Sequence, residues 1–171
     1  MPVSAEAVKQ LRQLTGAGFI ECKAALEEAK GDIDAAAQDL RKKGIAKGRA
    51  LSDKRGTAGL NQGLVDTYIH PGGRVGVMIE INCATDFVAR TQDFKDLARN
   101  IAMQIAAMDP EFVGTDDVPE GFTGNLKEAA LIEQTYVKDQ SKAVKDVLSE
   151  AVGKLGENIR VRRFVRYVLA N

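Results

Sequence analysis

Apolar positions along this chain follow one period at the start and another in the middle. Val8, Leu11 and Leu14 recur at helical spacing until Gly16 and Gly18, where glycine supplies the left-handed turn that closes a helix. Phe19, Cys22, Ala25, Leu26 and Ala29 form a second helical stripe ending at Gly31. Asp32 then caps a third, striped by Ile33, Ala36, Ala37 and Leu40 and stopping at Gly44. So many alanines at contact positions predict short helices in close approach, a three-helix module over residues 1–43 with a thin core. Beyond it the period becomes two. Val65, Thr67 and Ile69 alternate before His70-Pro71-Gly72-Gly73, and Val75, Val77, Ile79 and Ile81 alternate after it, which predicts a β-hairpin.

The second strand delivers the chain to Thr85, which reads as the N-cap of a short helix. A longer helix follows, striped by Phe94, Leu97, Ala98, Ile101, Ile105 and Met108 and stopped before Pro110. Residues 110–124, rich in Gly, Asp and Pro, read as a surface loop. Asn125 caps a predicted helix carrying Leu126, Ala129, Ala130 and Val137 on one side, and Val144, Val147, Leu148, Ala151 and Leu155 stripe another that Gly156 ends. Ile159 and Val161 alternate, then Phe164 and Val168, and the change of phase near Arg162-Arg163 predicts a bulge in a buried strand. Paired with the hairpin, that strand completes a three-stranded, mostly antiparallel sheet. The predicted class is α+β, with a helical module at 1–43, a basic linker at 44–56, and a core of sheet and packed helices at 57–171.

Composition narrows the function classes. The 171 residues carry 24 Lys and Arg against 24 Asp and Glu, so no overall charge draws the chain to nucleic acid or membrane. Apolar runs fall short of a membrane span, and Met1 to Glu6 lacks the pattern of a signal peptide, which leads us to expect a cytoplasmic protein with no membrane contact. The two cysteines, Cys22 and Cys83, have no metal-ligand spacing and read as buried thiols. His70, the single histidine, stands in a turn with no carboxylate cluster beside it. No phosphate-binding glycine loop or nucleophile elbow is present, and we expect no enzyme, no catalytic residues, no cofactor and no metal.

Two basic segments leave alternatives. Arg41 to Arg55 holds seven cations and the single acid Asp53, and reads either as a solvated linker or as a contact for an acidic surface or RNA. Arg160, Arg162, Arg163 and Arg166 beside Phe164 and Tyr167 form either a stacking nucleic-acid face or, the reading we favour, the polar side of a strand paired to carboxylates of neighbouring helices. Phe87 poses the sharper question. A ring in the first turn of a helix at the mouth of a sheet projects outward unless the core covers it or a partner does.

Asn82-Cys83-Ala84-Thr85-Asp86-Phe87-Val88-Ala89-Arg90 resembles the Thr-Asp-Phe-Val motif of the elongation factor Ts family, whose members strip GDP from elongation factor Tu. Two further blocks resemble it: Val8 to Gly18 running on to Cys22-Lys23, Leu26, Ala29 and Gly31-Asp32, and Lys154-Leu155-Gly156-Glu157-Asn158-Ile159-Arg160-Val161-Arg162-Arg163. Three ordered blocks across nearly the whole chain make the match specific. The resemblance implies a ubiquitin-associated type of domain at the start. It implies that Asp86 and Phe87 form a wedge entering elongation factor Tu near its magnesium and phosphate site, with Thr85 and Val88 beside them at the same contact. Leu155 and Gly156 press on the same domain, and Arg12, Phe19 and Ile20 meet its outer helix. The family commonly shows two methionines where Phe19 and Ile20 stand, an exchange that keeps an apolar surface. The chain resembles the short form, lacking the helical hairpin and second half-core of long members, which implies a homodimer and no direct contact with nucleic acid. The competing reading is a ubiquitin-associated-like adaptor or ribosome-linked RNA-binding protein using the two basic segments.

Overall fold

A computed structural model describes residues 3–56 and 59–170. Three helices open the chain. α1 (Ala5–Thr15) starts where the Ser4 hydroxyl accepts the Ala7 amide at 3.1 Å and ends at Gly16. α2 (Phe19–Glu28) starts where the Glu21 carboxylate accepts the Gly18 amide at 3.1 Å. α3 (Ile33–Arg55) starts where Asp32 accepts the Ala35 amide at 3.0 Å. Val8, Leu11, Cys22, Ala25, Leu26 and Ala36 form the small core between them, as the alanine-rich stripes lead one to expect. Leu14 does not join it: assigned to the first stripe, it is exposed.

The third helix is longer than its sequence suggests. It does not stop at Gly44 but runs 23 residues, so the segment read as a linker is helical as far as Arg55. The expected start of the core at residue 57 lies outside the described residues. Glycine inside a helix costs about 1 kcal/mol relative to alanine, and here that cost is offset by close packing on α7 (Val144–Leu155). A Cβ added at Gly48 would overlap the carbonyl oxygen of Ser149, and one at Gly153 would lie 2.5 Å from the carbonyl oxygen of Gly44. The basic residues follow the same logic. Arg49 pairs with Asp146 at 2.6 Å, and Arg41 lies 3.6 Å from Glu150 and 3.7 Å from Asp139. The acidic surface these cations meet belongs to the same chain.

Strands β1 (Gln62–Ile69), β2 (Val75–Cys83) and β3 (Ile159–Val168) form one antiparallel sheet in the order β1-β2-β3. The hairpin turn closes on a bond from the His70 amide to the Val75 carbonyl at 2.9 Å. In β3 the register slips opposite Glu80 and Ile81, leaving Arg162 as the extra residue, the bulge that the phase change predicts. One face of the sheet, with Val77, Ile79, Ile81 and Val161, packs against α5 (Gln92–Met108) through Phe94, Leu97, Ala98, Ile101 and Ile105. Alternation leaves Val65, Met78, Val165 and Tyr167 exposed on the other face.

After α5 the structure departs again from periodicity. The helix expected from Asn125 through Val137 is a single turn, α6 (Leu126–Ala129), followed by a tight turn at Leu131–Glu133. Two buried glutamines explain the interruption. Gln134 donates to the carbonyls of Glu128 and Met108, at 2.6 and 3.2 Å, and Gln104 donates to Gln134 and to the Thr135 carbonyl. The Glu128 carbonyl that a continuing helix would use accepts from Gln134, and the Ile132 amide donates to Val113 instead.

Candidate functional site

α4 (Asp86–Arg90) is five residues long, too short to hold itself together. Two things fix it. Val88 and Ala89 are buried in the main core, and Thr85 caps the first turn, its hydroxyl accepting the Val88 amide at 3.3 Å. Helical spacing then turns Asp86 and Phe87 outward. The ring is 78% exposed, so the core does not cover it. The Asp86 carboxylate pairs with Arg90 at 2.9 Å in solvent and sits at the positive end of the turn.

The same cap joins α4 to the turn after α7. Thr85 donates its hydroxyl to one oxygen of Glu157 at 2.6 Å and its amide to the other at 3.0 Å. Gly156 ends α7 in a left-handed conformation with φ 74°, which suits glycine, and Leu155 packs half-buried against the main core. Next along, Asn158 is buried and donates to the Gly56 carbonyl, while the Ser52 hydroxyl donates to Asn158 at 3.0 Å. One short turn therefore ties the start of α4 to the far end of α3. Beneath it, Cys83 donates to the Thr85 carbonyl at 3.2 Å, and burial, then the charge of Glu157, push its thiol above the ordinary range. Both cysteines are buried, as their sequence context suggests.

The helical module supplies the second patch. Phe19 and Ile20 are 53% and 82% exposed at the start of α2, and Arg12 is exposed near the end of α1. A cleft of about 1010 Å³ separates module from core, lined by Leu14, Gly16, Glu21, Asp93, Lys154 and Leu155 among others. Lys154, in its lining, pairs with Asp93 at 2.8 Å, and its stem crowds Gly16, where an added Cβ would lie 2.7 Å away. The structure thus joins Thr85, at the head of the turn carrying Asp86 and Phe87, to Glu157 in the turn that follows Leu155 and Gly156. It puts Phe19 and Ile20 on the neighbouring module.

Sequence reasoning missed Glu157. The signal was available at Val88: three residues after a threonine cap, a glutamate commonly supplies the returning acceptor, and an apolar residue stands there instead. The strand arginines are engaged, though not mainly with helices: Arg162 and Arg163 share Glu80 of β2, and Arg166 pairs with Asp109 at the end of α5. Among the described residues no helix is long and apolar enough to cross a membrane.

Fold and site together define an α+β protein with a helical module at its start and an exposed aromatic ring on a short capped helix of its core. Residues 8–127 match the family model described as Elongation factor TS. A protein named Elongation factor Ts from Thermoanaerobacter sp. (strain X514) is 46% identical over 195 aligned positions, covering 96% of this chain and 94% of its own length. Those from Thermotoga neapolitana and Coprothermobacter proteolyticus are 44% and 45% identical, covering 98% and 99% of this chain and 97% and 99% of their own lengths. The chain belongs to the elongation factor Ts family, and so to the factors of translation elongation.

Proposed function

We propose that this protein is the guanine-nucleotide exchange factor of elongation factor Tu and acts in the cytoplasm. A nucleotide held at nanomolar strength sits in a well of about 12 kcal/mol, so its release needs a partner that binds the GTPase better without it. Coupling of this kind is reciprocal: the nucleotide weakens the factor as much as the factor weakens the nucleotide, so rebinding of GTP expels the factor. No acid, base or nucleophile is required.

The observation that carries this reading is the exposure of Phe87 on a helix whose next two residues are core. A ring left in water at a capped and buried turn is available as an interface anchor. In this mechanism Asp86 and Phe87 enter near the magnesium and phosphate site of elongation factor Tu, with Thr85 and Val88 holding the turn. Leu155 and Gly156 press on the same domain, and Arg12, Phe19 and Ile20 grip its outer helix. The open sheet face carrying Val65, Met78, Val165 and Tyr167 pairs with a second copy, since an uncovered apolar face on a three-stranded sheet favours association.

Reciprocity gives the test. Binding to elongation factor Tu, measured by calorimetry, is expected to be at least about tenfold tighter for the nucleotide-free GTPase than for its GDP complex. Equal affinity for both would remove the exchange function.

A further inference from the structure

Helix caps of the threonine type are usually completed locally: the cap hydroxyl serves the amide three residues on, and a glutamate at that position reaches back to the amide of the cap. In α4 that position is Val88, buried and apolar. The missing carboxylate arrives from Glu157, 72 residues further along the chain, with one oxygen for the Thr85 amide and the other for its hydroxyl. Directed in this way, the Thr85 proton goes to Glu157 and its lone pairs remain for Val88.

The geometry points to Glu157 as a positioning residue that presets Phe87, and this rests on the exchange function proposed above. A five-residue helix between a strand and α5 has little intrinsic tendency to persist. With Glu157 in place, the outward pair Asp86-Phe87 and the turn of Leu155 and Gly156 form one body before any partner arrives. Without it the first turn of α4 frays, and the ring is correctly placed only part of the time. A binding-competent state populated for only a fraction of the time raises the apparent dissociation constant by the inverse of that fraction. It leaves the complex unchanged once formed. The signature is a shift in the concentration needed for exchange, with the plateau rate preserved.

The experiment compares the full chain with E157Q and E157A. E157Q keeps one acceptor for Thr85, so it folds even if E157A does not. E157Q is expected to melt within a few degrees of the parent. Its Thr85 and Val88 amides should exchange with deuterium about tenfold faster, because local opening of that turn is no longer resisted. Half-maximal GDP release from elongation factor Tu should need about three- to thirtyfold more protein, with the plateau within about twofold. Unchanged amide exchange, an unchanged half-saturating concentration, or a collapsed plateau would overturn the proposal. Should the parent itself leave GDP release unaltered, the exchange function fails. Amide exchange in E157Q then decides the positioning role by itself, faster supporting it and unchanged overturning it.

Discussion

Replacing Phe87 with alanine separates folding from function. The ring is 78% exposed, so removing it opens no cavity, and the stability loss should stay within about 1 kcal/mol. The contrast is Phe94, fully buried under the sheet, where the same change should cost about 3–5 kcal/mol. In the complex the order reverses. A phenylalanine covers roughly 200 Å². With 78% of that area still free, its burial by a partner is worth at most about 4 kcal/mol at ~25 cal/mol per Å². Ordering and imperfect fit reduce the return, which leaves a loss of about 2 kcal/mol or more, some thirtyfold in affinity. Urea unfolding of Phe87→Ala and its stimulation of labelled GDP release are the paired assays. A stability loss near that of Phe94→Ala, with unchanged exchange per folded molecule, would refute the wedge.

Asp86→Ala removes an exposed ion pair with Arg90 and should change stability by less than about 0.5 kcal/mol while reducing exchange less than Phe87→Ala does, measured in the same two assays. Gly48→Ala should lower the melting temperature although alanine is the better helix former, because the added methyl meets the Ser149 carbonyl; a rise in melting temperature would mean that α3 and α7 are less tightly packed than the structure has them. Deleting residues 1–43 should weaken binding to elongation factor Tu yet preserve a cooperative thermal transition in the remainder, since Leu51 and Ser52, which serve the main core and Asn158, are retained. At Glu80 burial acts to raise the carboxyl pKa, but the bonds from Arg163 and Asn82 and the arginine charges outweigh it and hold the group below its usual range. A depressed folded-state pKa stabilises above the unfolded value of about 4.3 and loses that contribution as pH falls through the lower value, so the stability advantage of wild type over E80Q should shrink below about pH 4 in denaturant titrations.

Periodicity made most of the fold legible. Alternation from Val65 to Ile81 defined the hairpin, and the slip near Arg162 located the bulge, because a two-residue period changes face at every extra residue. The errors fall where long-range contacts overrule local signals. Gly44 looks like a helix stop until α7 is placed against α3 at Gly44 and Gly48, and nothing nearby in sequence announces that neighbour. The helix after Asn125 is interrupted where Gln134 bonds the Glu128 carbonyl within the segment and Gln104, from α5, bonds the Thr135 carbonyl. The site was legible in its outward residues and not in its support. Phe87 stood out because its ring sits in a capped first turn, whereas Glu157 acts on a residue far from it along the chain.

The central claim is tested most directly by following release of labelled GDP from elongation factor Tu as this protein is added. The release rate should rise with concentration to a plateau well above the spontaneous rate, and Phe87→Ala should need more protein to approach it. An unchanged release rate, at concentrations where binding to elongation factor Tu is demonstrably complete, would contradict the account.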